Sequence, residues 1–498
     1  MLYSLPGVLL VVFAYALVHV TARLLASGNL GEDDPYDNLL IQTLAPGYGI
    51  RQGPLYDWAL WLLQQGLGTG VHAFLLLKYG LLVAMAGFLF LATRRITGSP
   101  LWAFMAVDAM ALVYQIFWRF HEGFTHRVGA MALAVITLWA LLRLVDRAGR
   151  RDYALFAALI GLGLLTEHTY AVFLLALLAA AWLQPAVRQR VFVPAMLVAL
   201  PLALLIVSPY AAWLAAEPQR ASDFLAGLLP FARDHTLIGV LHGLRDALTF
   251  PVLVLAPFIF ILPAVFPGLL KSLFRQTPLR PVPDAAPDFS QLLAHLLLIE
   301  LALLVVFDAL LFQRADYAVH SLLPMFVVAL VWLTEKARQS APSPARIRAF
   351  VAIMLTLTLV ALLGRAANMF VLDPVCSKCR WGVPYAGLAE QLRARGFQDG
   401  TLVTDDVELG GNLRRFFPDA RFVLSGHAIA PPETRRNRAG RSAVVWSSRN
   451  GEEAIPDGLR PYVAGARPER LQVPWRHLWK PEGYRHSSWR MVILAPAP

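Results

Sequence analysis

Two cysteines in 498 residues, Cys376 and Cys379, exclude a disulfide-built scaffold and a thiolate metal cluster. Charge is scarce too: Asp, Glu, Lys and Arg make up 15% of the chain, against 57% hydrophobic residues. A soluble chain of this length has no use for so much apolar surface, so the sequence reads as a polytopic membrane protein. No HExxH run or other fixed metal spacing occurs, and Gly410-Gly411 lacks the fingerprint of a dinucleotide site. The net charge of +11 would suggest nucleic acid in a soluble chain. Here arginines at the ends of apolar runs account for much of it, and no nucleic-acid partner is expected.

What is present is a succession of apolar runs. They predict about eleven spans, near 4–25, 70–92, 99–118, 126–145, 153–166, 170–184, 191–213, 250–272, 289–312, 319–335 and 348–371. Alternate connections carry the basic residues: Arg94/Arg95, Arg143/Arg147/Arg150/Arg151, Arg188/Arg190, Lys271/Arg275/Arg280 and Lys336/Arg338/Arg346/Arg348. The positive-inside rule puts those five connections and the N-terminus in the cytoplasm, and the chain from about 372 outside. Arg23, at the outer end of the first segment, opposes this and has to be outvoted. That segment lacks the charged n-region of a signal peptide and reads as an uncleaved anchor. Basic clusters at both ends of 153–184 require a hairpin with Glu167 and His168 at its outer tip.

The outer connections hold the polar chemistry. "GEDDPYDNLL" (31–40) crowds four carboxylates, Glu32, Asp33, Asp34 and Asp37, beside the membrane. Asp34-Pro35 reads as an N-cap followed by proline at the first helical position, with Asp37 three residues on. On that reading Asp34 and Asp37 serve the helix, Glu32 serves solvent, and Asp33 is left over. A short amphipathic helix should run to about Leu44. Gly53-Pro54 should start another, with Tyr56, Trp58 and Trp61 suited to the interface. Further outer stretches are "RFHEGFTHR" (119–127), "TEHTY" (166–170), 214–249 and "QRADYAVHS" (313–321).

"DDPYDNLLIQTLAPGYGIRQGPLYDW" resembles the first outer loop of the bacterial glycosyltransferases related to protein O-mannosyltransferases. In that family the loop reads approximately Asp-Glu, an amphipathic helix, Gly-Tyr-Gly, then Pro-Pro-Leu-Tyr-x-Trp. Asp33 matches the motif aspartate, Asp34 stands where glutamate is usual, and Gly53 replaces the first proline. "FHEGFTHRVGAM" is similar to the second loop, and "DPVCSKCRWGVPYAGLAEQLRARGF" to the start of the outer domain. The resemblance covers nearly the whole chain in order, although each motif is short.

It implies a glycosyltransferase of the C superfamily (GT-C type): an α-helical multispanning domain, 1–372, with a small outer α/β domain, 373–498. Such enzymes pass one sugar from a polyprenyl-phosphate donor to an acceptor outside the cytoplasm, usually with inversion. The acceptor implied is an envelope glycolipid such as lipopolysaccharide core or lipid A, or else a protein, with the inner membrane as the setting. Asp33 would be the general base or acceptor-orienting carboxylate, with Asp34 and Glu122 as further catalytic candidates.

The departing phosphate needs positive charge or hydrogen-bond donors. Arg51, Arg119, Arg127, Arg220, Arg245 and Arg314 lie on the right side, and Arg127 and Arg314 stand at span ends within polar motifs. Tyr56, His126 and His320 complete the candidate substrate contacts. His121, His126, His168, His235 and His320 all fall outside, with Glu122 and Glu167 beside two of them. A divalent ion held by Glu122, His126 or His168 is one reading, and hydrogen-bonded interfacial histidines are the plainer one.

Lys78, Asp108, Glu300 and Asp308 lie within spans, where unpaired charge is costly, so Lys78 is expected to pair with Asp108 or Glu300. These groups are the best support for the rival reading, a flippase or transporter of lipid-linked sugars. A third reading is an envelope assembly factor without catalysis. The tail should form strands at "GTLVTDD", "RFVLSG", "SAVVWSS" and "RMVILAP" alternating with helices, a small α/β fold. Its outside location favours a short Cys376–Cys379 disulfide over a thioredoxin-like redox pair.

Overall fold

The computed structural model describes residues 3–49, 52–222, 236–273, 287–306, 323–373, 375–376, 380–427, 430–448, 454–463, 465–477 and 479–496. Helix α1 (Leu5–Ala26) leads to two outer helices, α2 (Asp34–Leu40) and α3 (Leu55–Leu67). Then follow α4 (Val71–Thr97), α5 (Pro100–Asp108), α6 (Phe120–Gly123), α7 (His126–Arg147), α8 (Arg150–Leu164), α9 (His168–Leu183), α10 (Pro185–Val191) and α11 (Pro194–Ala215). Pro100, Pro185, Pro194 and Pro344 each stand in the first turn of a helix, where a missing N–H costs nothing. Later helices include Leu237–Val254, Ala256–Val265, Phe289–Val306, Leu323–Gln339 and Pro344–Ala367.

Where they are described, the predicted spans fall mostly on helix. Among the described residues six helices are long and apolar enough to cross a bilayer, or up to eight if each bent pair is one span. The expected span 99–118 is one such pair, bent by 73° between Leu112 and Gln115. The expected span 250–272 is broken as well, with one helix ending at Val254 and the next starting at Ala256. The predicted hairpin of 153–184 is present as α8 and α9, which meet at Thr166-Glu167.

Basic connections gather at one end of this bundle. Arg95 clasps Asp146 through two nitrogens, each 2.5 Å from a carboxylate oxygen, and Arg143 meets Asp152 at 2.5 Å. Tyr153 donates to the Arg190 carbonyl, Ser272 to that of Lys336 and Arg346 to that of Val265. Thus all five predicted inner connections are represented at this end. At the other, Gly53 donates to the Thr166 carbonyl at 3.1 Å and Leu55 to that of Leu165 at 2.9 Å. A proline at 53 would lack that N–H, and a Cβ there would fall 2.3 Å from the Leu165 carbonyl oxygen. The departure from the Pro-Pro motif therefore fits this backbone contact.

The tail forms a five-stranded sheet of β1 (Thr401–Thr404), β2 (Arg421–Leu424), β3 (Ser442–Ser447), β4 (Glu469–His477) and β5 (Lys480–Leu494), ordered β2-β1-β3-β5-β4. β1 pairs in parallel with β2 and β3, while β5 runs antiparallel to β3 and β4. All four predicted strands are present, and β4 is an addition. Leu388, Leu392, Leu409, Leu413 and Phe422 form an apolar core here, and Leu39 of α2 is buried in the same cluster.

That plug ties the first outer loop to the sheet. Asn412 accepts from the Leu30 N–H at 2.7 Å and donates to the Leu30 carbonyl at 3.2 Å. Gln42 exchanges two hydrogen bonds with the Phe422 backbone, at 2.7 and 2.9 Å. Buried Arg414 donates to the Asn38 carbonyl at 2.5 Å and to Gln64 at 3.1 Å. The helix Val407–Arg414 crosses α2 so closely that a Cβ on Gly411 would sit 2.1 Å from the Pro35 carbonyl oxygen. The Gly-Gly pair serves helix contact. Cys376 is disulfide-bonded, and its expected partner, Cys379, lies outside the described residues.

Candidate active site

Four carboxylates entered one short loop, and the backbone separates them. Glu32 takes a left-handed φ of 55°, rare for a side-chain-bearing residue, and turns the chain sharply into α2. Asp33 is the cap residue but makes no side-chain cap bond. The helix starts at Asp34, with Pro35 in its first turn. The expectation that Asp34 and Asp37 serve as caps is therefore wrong. Both turn inward and are buried, at 4% and 1% exposure.

Asp34 faces Lys78 of α4, with Nζ 3.6 Å from Oδ1. This overturns the expected pairing of Lys78 with Asp108 or Glu300. Lys78 is two turns from the outer end of α4 and reaches up to the loop rather than across the membrane. Asp108 Oδ2 and both Glu300 oxygens are buried without a hydrogen-bond partner among the described residues. Burial pushes the Asp34 carboxyl up to about 6; Lys78 opposes that rise and Asp37 adds to it.

One turn along α2, Asp37 meets His126, the first residue of α7, and Asp57 of α3. His126 Nε2 lies 3.5 Å from an oxygen of each carboxylate. Tyr56 is not at the interface as expected. It is 2% exposed, with its ring centroid 5.2 Å from that of His126. Burial raises its hydroxyl well above the ordinary range, and Asp34, Asp37, Asp57 and Asp33 add to the rise.

Asp33 stays half-buried at the head of α2. Its carboxyl is held above the usual range by burial and then by Asp37, against the pull of Arg127 and His126. Arg127 stands 3.5 Å from Glu167 at the α8–α9 tip and lies over the Phe124 ring. Glu167 is raised as well, by burial, with Arg127 opposing.

Beside these groups lies an arginine cluster. Arg119 is 3.1 Å from Glu122 and 3.7 Å from Glu32; Arg380 is 2.8 Å from Glu32; Arg365 is 3.7 Å from Glu122. Arg380 also lies 3.9 Å from Glu408, so the three guanidiniums share three carboxylates. Arg365 is buried and donates to the His121 carbonyl at 3.0 Å. The His121 ring itself bonds Tyr15 and Tyr79, each at 2.6 Å, and stacks on His19 at 3.9 Å.

The structure thus gathers Asp33, Asp34, Tyr56, Glu122, His126 and Arg127 on one face, but in separate groups. Glu122 keeps with the arginines, while His126 keeps with Asp37 and Asp57. His121 is hydrogen-bonded, the plainer expectation for a histidine here. Arg220 pairs with Glu217 and Arg245 with Asp246. Arg51, Arg314, His235, His320 and Asp308 lie outside the described residues, as does the side chain of His168. Sequence reasoning missed Asp57, Arg365 and Arg380. Arg365 did carry a signal, a guanidinium inside an apolar run near its outer end, where the positive-inside rule disfavours one.

Comparison with known proteins follows the same lines. Residues 51–213 match the family model described as dolichyl-phosphate-mannose-protein mannosyltransferase. Two lipopolysaccharide core galacturonosyltransferases of Rhizobium johnstonii are similar to nearly the full chain. RgtA is 24% identical over 91% of this chain and 88% of its own length, and RgtB 25% identical over 90% and 89%. Among solved structures, ArnT from Cupriavidus metallidurans, bound to undecaprenyl phosphate, superposes with a TM-score of 0.63. It covers 97% of both chains at 13% identity, a likeness of fold.

Proposed function

We propose that this chain is a GT-C membrane glycosyltransferase that transfers a sugar from a polyprenyl-phosphate donor to an envelope glycolipid, at the outer face of the inner membrane. The observation that carries this reading is Asp33, a half-buried carboxylate at the head of α2, without an ion pair among the described residues and with the arginine cluster beginning at its neighbour Glu32. A lipid-borne donor keeps its tail in the bilayer and its reacting carbon at headgroup height. The loops holding Asp33 stand where α1 ends and α7 begins, and the reading puts that level at the headgroups.

In the proposed reaction the acceptor hydroxyl oxygen bonds to the anomeric carbon while the carbon–oxygen bond to phosphate breaks, inverting the centre. Asp33 takes the hydroxyl proton, and the electron pair of the broken bond leaves on polyprenyl phosphate. Arg119 and Arg365 meet the charge that develops there, since both share the one carboxylate of Glu122; Arg127 is a further phosphate contact. The tail packs on α2 and supports this loop from outside, as a periplasmic domain. The similarity to lipopolysaccharide core galacturonosyltransferases supports a glycolipid acceptor and a uronic acid as the sugar.

The rival transporter reading loses part of its support, because Lys78 answers to the loop rather than to other intramembrane charges. The deciding experiment is Asp33→Asn in purified protein, supplied with a polyprenyl-phosphate uronic acid and deglycosylated lipopolysaccharide core. Transfer should fall about 10² to 10⁴-fold with the thermal transition unchanged. Transfer at the wild-type rate would end the assignment. Mass spectrometry of envelope glycolipids from cells carrying the variant names the sugar by the mass that disappears.

A further inference from the structure

We propose that Asp37, Asp57 and His126 form a binding site for one divalent metal ion of the first transition row, independent of the sugar donor. Each residue comes from a different helix, α2, α3 and α7, and each is at least nine-tenths buried, at 1%, 3% and 2% exposure. Each offers one ligand atom, and the three atoms lie within 4.8 Å of one another. His126 Nε2 sits 3.5 Å from both Asp37 Oδ1 and Asp57 Oδ1. That separation suits ligands about 2.0 to 2.2 Å from a shared ion in tetrahedral array.

A second, independent observation points into the same well. Buried Asp37 Oδ2, Asp57 Oδ1 and the Tyr56 hydroxyl have no hydrogen-bond partner among the described residues. The Tyr56 ring centroid lies 5.2 Å from that of His126, and Tyr56 is the chain neighbour of Asp57. Buried polar atoms ordinarily find partners, and several unsatisfied ones in one pocket call for an occupant. A cation answers the need of the carboxylates, which accept only, and leaves Tyr56 able to turn its oxygen toward the same ion.

Donor chemistry narrows the class. An imidazole with two carboxylates suits zinc, manganese or ferrous iron better than calcium, which takes six or more oxygens. The site ties α2, and hence Asp33 one turn away, to α3 and α7. Its part is positioning, since nothing places it on the reacting atoms.

The test needs no sugar substrate. Full-length protein is purified in detergent with zinc and manganese present, freed of unbound metal, and analysed by plasma mass spectrometry. About one equivalent per chain should remain, as a buried site of this kind holds its ion through desalting, and the melting temperature should drop on chelation. Asp57→Asn and His126→Ala should each abolish retention. Because a variant may fail to fold, cobalt(II) titrated into chelator-stripped wild-type protein supplies the second measurement. Visible bands of a four- or five-coordinate nitrogen–oxygen site, saturating at one equivalent, support the assignment. Folded wild-type protein that keeps substoichiometric metal, melts alike with and without chelator and gives no cobalt bands would overturn it. His126 would then be an imidazolium clasped by two carboxylates.

Discussion

The two ends of the helical bundle use the same residue types to opposite effect. At the inner end three arginines each hold a carboxylate of their own: Arg95 with Asp146, Arg143 with Asp152, and Arg338 with Glu335 at 2.7 and 2.8 Å. Arg95 and Asp146 are 49% and 32% exposed, so water shares the work and the pairs are weak staples. At the outer end charges are buried, shared between several partners, or left with unused hydrogen-bonding capacity. Asp34 keeps an oxygen without a hydrogen bond despite Lys78, and Glu32 and Glu122 are divided among three arginines. A network built for stability closes on itself, as the inner one does. The outer one leaves oxygens of Asp34, Asp37 and Asp57 without a hydrogen bond among the described residues.

The largest effect that sharpens this contrast is the loss of about 10² to 10⁴-fold in transfer expected of Asp33→Asn. The same carboxylate sets a pH dependence. A base works only when ionised, and Asp33 is held above the usual range, so transfer should rise with pH through a midpoint above about 3.9. That acid limb in kcat/KM should vanish in the amide variant; if it persists there, another group carries it.

Next in size is Lys78→Met, which strands Asp34 in a dry site. Breaking a buried pair typically costs about 3–5 kcal/mol, read as a fall in melting temperature or in expression. Adding Asp34→Leu should restore much of it. A double variant no better than the single one would mean that the pair is not the reason. Gly411→Ala should cost about 1–3 kcal/mol by pressing on the Pro35 backbone, and should slow transfer by displacing α2. The smallest effect is that of Arg95→Ala at the inner end, about 0–1 kcal/mol with transfer intact. A large loss there would dissolve the contrast between the two ends.

The sequence shows what lies along one dimension. Apolar runs, basic connections and the α8–α9 hairpin are local signals, and the structure has them where they were read. Strand β4 was hidden because Pro474 interrupts its pattern, which an edge strand beside β5 tolerates. The wells of the site were illegible for another reason. Asp34 joins Lys78, and Asp37 joins Asp57 and His126, across three separate stretches, so no spacing rule marks them. Capping statistics also gave Asp34 and Asp37 a sufficient local explanation, and tertiary burial overrode it. The family resemblance supplied Asp33 but not its surroundings.

Asn412 and Leu30, which hold each other by two hydrogen bonds, are 382 positions apart in the chain. If the loop carrying Asp33 and this partner both lie outside, as proposed, the loop waits unbraced during synthesis until almost all the rest has been made. A chain truncated before Asn412 would lack these two hydrogen bonds, and with them this brace on the loop. Completion of the polypeptide would then be the step that braces this loop against the sheet.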